Sequence, residues 1–176
     1  MMKNEIVIMA LEAEAPQLAK RSNVYICGVG KINAAIMAAK LLAQNPEITK
    51  VYNFGTAGGI TLEPGLHQMH NFVERDRARC PASLEAVIKP EANLISYGDG
   101  YTCSTGDDFV MDPNLEIPSD VVDMEAYAIA KACDRANVEF ECWKYVSDGA
   151  NADSADEWVA NVRKGQDYYL DILDAI

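Results

Sequence analysis

The chain has 176 residues, 49% of them hydrophobic and 24% charged, and a formal net charge of −12. That length is read as a single domain over residues 1–176, with room for a sizeable core. The acidic balance argues against nucleic acid or an anionic membrane as partner, since either needs a basic face, and no apolar run approaches the roughly 20 residues of a membrane span.

The amino terminus, Met1 to Glu5, leads into a short apolar strand and lacks the apolar core of a signal peptide. The cysteines (Cys27, Cys80, Cys103, Cys133 and Cys142) are odd in number, scattered and without a Cys-x-x-Cys pair. They are read as reduced thiols of a cytoplasmic protein rather than as a zinc site.

Glu5 to Leu11 is an apolar run of the kind a fully buried strand shows. Glu12 to Leu18 follows as a loop and short helix, with Pro16 near the helix start. Val24 to Cys27 is a second strand, and Gly28-Val29-Gly30-Lys31 turns it into a helix from Ile32 to Gln44, stopped by Pro46. Lys50 to Phe54 is a third strand, ending in Gly55-Thr56-Ala57-Gly58-Gly59. Gly65 to Arg75 reads as a fourth; His67 and His70 fall within its alternation, so they are a weak metal signal. Asp76 to Ala92 is polar, with Pro81 and Pro90, and is read as a loop with one short helical turn. Leu94 to Tyr97 and Tyr101 to Cys103 are expected strands around Gly98-Asp99-Gly100, and Ser104 to Val110 a polar loop.

Val121 and Val122 read as the end of a buried strand. Beyond them Met124, Ala128, Ile129 and Ala132 recur with the rhythm of a helix that has one buried stripe. Asp123 stands where a short acceptor caps free N–H groups, and Glu125 lies in the first turn. Glu139 to Val146 is another strand, with Ser147-Asp148-Gly149 at its end, and Asp153 to Ile176 is mostly one helix. Strand, glycine turn and helix in alternation predict an α/β fold: a three-layer α/β/α domain with a central mixed, largely parallel sheet.

Gly28-x-Gly30-Lys31 is no phosphate loop, because Tyr25 and Ile32 stand where glycine and Ser/Thr belong, and Asn33 replaces the third glycine of a dinucleotide fingerprint. Ligands in open α/β sheets bind beyond the carboxyl ends of strands. Four polar points fall at such ends: Glu12/Glu14, Thr56, Asp123/Glu125 and Asp148. Taken singly, each also reads as an ordinary solvated cap. Phe109, alone in a polar loop, is either a plug on the core or a stacking platform. Trp143 and Trp158 are read as packing residues.

Six blocks carry a resemblance in their order along the chain. They are Ala10-Leu11-Glu12-Ala13-Glu14, Gly28-Val29-Gly30-Lys31-Ile32-Asn33-Ala34-Ala35, Asn53-Phe54-Gly55-Thr56-Ala57-Gly58-Gly59, Ser104-Thr105-Gly106-Asp107-Asp108-Phe109, Val122-Asp123-Met124-Glu125-Ala126 and Val146-Ser147-Asp148-Gly149-Ala150. Together they resemble the nucleoside phosphorylase/nucleosidase superfamily, and most of all its 5′-methylthioadenosine/S-adenosylhomocysteine nucleosidases. The resemblance implies a purine nucleoside N-ribohydrolase that needs no metal or organic cofactor, acts on a small-molecule nucleoside with a modified 5′ position, and forms a homodimer. It implies that Met124 and Glu125 hold the ribose, that Phe109 stacks on the purine, and that Thr56 lies near the ribose and the attacking water. Asp148, with Ser147 beside it in the substrate site, would protonate the base at N7. Glu14 would activate water, with Glu12 as the alternative register.

The chain departs from the family pattern in two places. Only Ala19 to Asn23 separates the first helix from the second strand, and the segment after Asp76 is abbreviated. A phosphate-dependent phosphorylase and a non-catalytic nucleoside-binding protein are the rival readings. Against the phosphorylase, Asn53 stands where such a relative would place an arginine, and Glu12 and Glu14 would repel a dianion.

Overall fold

The structure, a computed structural model, describes residues 4–76, 94–115 and 118–175. The strands are β1 (Glu5–Met9), β2 (Val24–Ile26), β3 (Lys50–Gly59), β4 (Gly65–Glu74), β5 (Leu94–Ser96), β6 (Tyr101–Thr105), β7 (Val121–Asp123) and β8 (Glu139–Asp148). The helices are α1 (Lys31–Gln44), α2 (Ala126–Ala136), α3 (Ser154–Asn161) and α4 (Gln166–Asp174). Of the loop expected over Asp76 to Ala92, only Asp76 lies within the described residues.

β1 explains the layering. Its side chains alternate between two faces, as a strand requires, and both faces are covered. Ile6 and Ile8 enter a core with Ala34, Ala38 and Leu41 of α1 and with Ala126, Ile129, Ala130 and Cys133 of α2. Val7 and Met9 enter a second core with Tyr52, Phe54, Leu18 and, from α4, Tyr169 and Leu173. A strand covered twice has no polar alternation, which is why Glu5 to Leu11 reads as one apolar run.

The sheet is mixed and mostly parallel, as expected: β1 pairs with both β2 and β3 in parallel, as do β3 with β8, β4 with β6, and β6 with β7. β3–β7, β4–β5 and β4–β8 are antiparallel. These pairings run β3–β8–β4–β6–β7 and back to β3, so five strands close on themselves while β1, β2 and β5 lie outside the ring. Closure demands that β3 change partners along its length. It pairs with β8 up to Gly58 and meets β7 at Gly58 and Gly59, with a register shift between Ala57 and Gly58. A Cβ on Gly59 would lie 2.4 Å from the Leu62 carbonyl oxygen, and one on Gly58 would lie 2.9 Å from Asp148 Oδ1. The two glycines are therefore strand residues that permit close approach, not the turn beyond Phe54 that their composition predicts.

Three further expectations are corrected. The strands around Gly98-Asp99-Gly100 do not form a hairpin; each pairs with β4, on opposite edges. Ser104 and Thr105 belong to β6 rather than to a loop. The carboxyl-terminal helix is broken into α3 and α4 near Gly165, where the Tyr169 ring packs so closely that a Cβ would meet its hydroxyl at 2.5 Å. That hydroxyl donates to the Gly55 carbonyl at 2.7 Å and so ties α4 to β3.

Candidate active site

A cavity of about 370 Å³ opens at the ends of β3, β7 and β8, lined by Leu11, Glu14, Val29, Thr56, Gly58, Arg75, Phe109, Val110, Met124, Glu125, Asp148, Trp158 and their neighbours. Every catalytic and binding residue expected from the sequence is in its wall except Ser147. The Ser147 side chain is buried, and its hydroxyl donates to Asp148 Oδ2 at 2.9 Å. It braces the Asp148 carboxylate from outside the cavity wall.

Glu14 closes the short 3-10 turn Glu12–Glu14 and is 4% exposed, whereas Glu12 is exposed and outside the cavity wall. Burying a carboxylate requires donors, and Glu14 has them. Its Oε1 accepts from the Thr56 N–H at 2.7 Å and from the Thr56 hydroxyl at 2.9 Å, and its Oε2 from the Leu11 N–H at 3.1 Å. Gly55 gives the carboxylate its room, since a Cβ there would lie 3.1 Å from Oε1. Asp148 packs against Gly58 in the same way and accepts from the Ala150 N–H at 3.1 Å as well as from Ser147. Thr56 and Ala57 separate the two glycines on β3, so the carboxylates meet the strand at two distinct points.

Asp123 is the cap that its position predicts: Oδ2 accepts from the N–H groups of Glu125 and Ala126, at 3.2 and 2.8 Å. Thr105 donates its hydroxyl to Oδ1 at 2.5 Å and accepts the Tyr127 N–H at 2.9 Å. Glu125 is thereby turned into the cavity wall, where its Oε1 accepts from the Gly30 N–H at 2.8 Å. This is what the Gly28-Val29-Gly30 turn does. Gly30 has φ +99°, a conformation that favours glycine, and aims its N–H at the carboxylate. Burial, and next the Asp123 charge, push the Glu125 carboxyl up to about 7, against the pull of Lys144.

Lys144 escaped the sequence reading. It is 1% exposed on β8, and its ammonium meets Asp123 Oδ2 at 2.9 Å. Burial alone would lower Lys144 and raise Asp123; their mutual attraction outweighs it, leaving Lys144 well above its ordinary value and Asp123 below. The signal was periodicity: Phe140, Cys142, Lys144, Val146 and Asp148 share one face of a strand, and the lysine sits in that inward series.

Arg75 lies in the cavity wall, and its side chain is spent chiefly on protein carbonyls. One terminal nitrogen donates to Ser104 O and Asp123 O at 2.9 and 2.7 Å, and the other to the Asp108 carbonyl and carboxylate. It fastens the residue before Phe109 to the residue before Met124. Phe109 is itself exposed in the cavity wall, which favours the stacking platform over the core plug. The Lys31 ammonium pairs with Glu74 at 2.8 Å and with Asp76. Trp158, expected to be packing, lines the cavity and donates its indole N–H to Thr56 Oγ1 at 2.9 Å. The Cys27 thiol, beside the site, is pushed up to about 12 by burial and then by Glu125, so it is no nucleophile at neutral pH.

No family model matches the chain. A curated 5′-methylthioadenosine/S-adenosylhomocysteine nucleosidase of Shewanella piezotolerans is 30% identical over 187 residues, covering 86% of this chain and 80% of the relative. Among solved structures, a mutant of the Helicobacter pylori nucleosidase abbreviated MTAN, with 5′-methylthioadenosine in its active site, superposes with a TM-score of 0.83 at 14% identity over the whole of both chains. The futalosine hydrolase of Helicobacter pylori superposes with a TM-score of 0.78 at 18% identity, covering 93% of this chain and 92% of the other. At such identities the two structures show a shared fold.

Proposed function

The chain belongs to the 5′-methylthioadenosine/S-adenosylhomocysteine nucleosidases, and we propose that its cavity hydrolyses the N-glycosidic bond of adenosines modified at the 5′ position. The observation that carries this is convergence: Glu14, Thr56, Phe109, Met124, Glu125 and Asp148, from five separate segments, line one cavity.

Breaking the bond leaves positive charge on the ribosyl carbon and negative charge on the departing purine. Glu125, held at Oε1 by Gly30, grips the ribose hydroxyls, beside Met124. Phe109 stacks on the purine. Asp148, kept in place by Ser147 and the Ala150 N–H, gives a proton to N7 as the bonding electrons leave with the base. Water attacks the anomeric carbon and loses its proton to Glu14. Two carboxyl groups in separate pockets thus serve as acid and base.

Phosphate in place of water is disfavoured on two counts. Asn53, where a phosphorylase relative would place arginine, is buried and donates to the Ile8 carbonyl at 2.9 Å. The cavity arginine, Arg75, already faces three carbonyl oxygens.

A homodimer is proposed with this activity. Ile32 and Ile36, 71% and 62% exposed and one turn apart on α1, form an apolar stripe beside Val29 at the cavity rim, the kind of surface that a second copy covers. A cytoplasmic location is supported by Cys27, Cys103, Cys133 and Cys142, all free thiols. Incubation with methylthioadenosine, adenosylhomocysteine, adenosine and inosine, followed by chromatography of free bases, tests the activity. Adenine release from the first two is expected, and no release from any would refute it.

A further inference from the structure

Trp158 sits on α3, the helix that bonds to neighbours of both carboxylates, Thr56 beside Glu14 and Ser147 and Gly149 beside Asp148. On one side, α3 secures the strand end that carries Asp148: Glu157 Oε2 accepts from the Gly149 N–H at 3.0 Å, and Asn161 Nδ2 donates to the Ser147 carbonyl at 2.7 Å. On the other, Trp158 Nε1 donates to Thr56 Oγ1 at 2.9 Å, and Thr56 Oγ1 donates onward to Glu14 Oε1, also at 2.9 Å.

The direction of this relay follows from valence. An indole N–H only donates, whereas a threonine hydroxyl has one hydrogen and can turn it towards any acceptor in reach. With the indole on its lone pair, the Thr56 hydroxyl has its hydrogen committed to Glu14. Glu14 Oε1 then receives two donors, the Thr56 O–H and N–H, while Oε2 receives the Leu11 N–H alone. Oε2 is left as the oxygen with a lone pair to spare.

We propose that Trp158 is a positioning residue of the hydrolysis: its indole N–H locks the Thr56 hydroxyl onto Glu14 Oε1 and so reserves Oε2 for the proton of the attacking water. The bond forming is water oxygen to anomeric carbon, the bond breaking is the glycosidic C–N, and the water proton goes to Oε2. The inference rests on the reading of Glu14 as the base. It also makes α3 the element through which the acid side and the base side of the site are held in one geometry. Phenylalanine would supply the same cavity wall and none of this.

The test is a double-mutant cycle of Trp158→Phe and Thr56→Val on methylthioadenosine, with thermal melts to confirm folding. Trp158→Phe should lower kcat about 10-fold, the order of one lost neutral hydrogen bond, and leave KM within about threefold. Thr56→Val should lower kcat further, and the double variant should be no slower than Thr56→Val alone, because both remove the same relay. The chain has two tryptophans, so the indole N–H signals in a ¹⁵N-labelled sample give a readout free of activity. Thr56→Val should move the Trp158 signal upfield and leave that of Trp143, bonded to Glu141, in place. A KM effect with kcat intact, losses that multiply in the double variant, or an unmoved Trp158 signal would each overturn the proposal. A wild type that releases no adenine removes the reaction and this role together, and the indole spectrum tells that failure apart from failure of the contact.

Discussion

Replacing Lys144 by methionine isolates the charge arrangement beneath the cavity. The variant keeps a chain of similar length and removes a cation whose partner, Asp123, has a side chain 1% exposed. Breaking a buried pair from one side costs about 3–5 kcal/mol, because the remaining charge has lost its counter-ion. Asp123 keeps the Thr105 hydroxyl and the Glu125 and Ala126 N–H groups, so about 3 kcal/mol is the expected loss, a large part of the 5–15 kcal/mol that holds a typical domain folded. The sign with pH follows from the pair. In the wild type Asp123 is held below its ordinary value, so its contribution is present above that value and is lost as pH falls through the lowered one. In Lys144→Met the carboxyl rises and protonates readily, so the deficit should shrink between neutral and mildly acid pH. Urea unfolding of both proteins at neutral and mildly acid pH measures this. Adding Asp123→Asn to the variant removes the stranded charge and should recover part of the loss. A single variant within about 1 kcal/mol of wild type at neutral pH, or a double variant less stable than the single, would refute the reasoning.

Glu125 carries an opposite dependence. Its carboxyl is raised from 4.5 to about 7, so its contribution is complete below 4.5 and is lost as pH rises through 7, a change of about 3 kcal/mol. Glu125→Gln should therefore flatten the stability profile between those values, and it should slow methylthioadenosine turnover, with 2′- or 3′-deoxy substrates losing similar energy in the wild type; equal kinetics on ribose and deoxyribose substrates would contradict the ribose grip. Asp148→Asn keeps the shape of the acid and removes its proton, so kcat should fall by roughly 10²-fold or more with ligand affinity little changed. Turnover near wild type would make Asp148 a structural residue of a strand end.

Much of the site is legible in the sequence because its residues sit at element ends that local pattern identifies. Asp123 and Glu125 stand at a strand-to-helix junction, Thr56 just after the apolar run Lys50 to Phe54, and Asp148 at the end of another strand; the ordered blocks around them identify the family before any contact is known. What stayed hidden depends on pairing between distant segments. Periodicity puts Lys144 on the inward face of its strand, but its partner, Asp123, comes into view only when β8 is seen to lie between β3 and β4. Arg75 acquires its role only when β6 and β7 bring three carbonyl oxygens to it. Trp158 shows its polar end only after the carboxyl-terminal segment breaks into two helices and α3 reaches Thr56. Ring closure was invisible for the same reason: the glycines that allow β3 to exchange β8 for β7 look, in sequence, like a loop.

The identity of the sugar product tests the central claim most directly. Methylthioadenosine is incubated with the protein in phosphate-free buffer and again in phosphate, and the sugar is resolved by mass spectrometry alongside free adenine. The proposal that Glu14 activates water, with Arg75 engaged by carbonyls, predicts that free methylthioribose forms at the same rate in both. A methylthioribose 1-phosphate product, with activity that vanishes when phosphate is withheld, would contradict it.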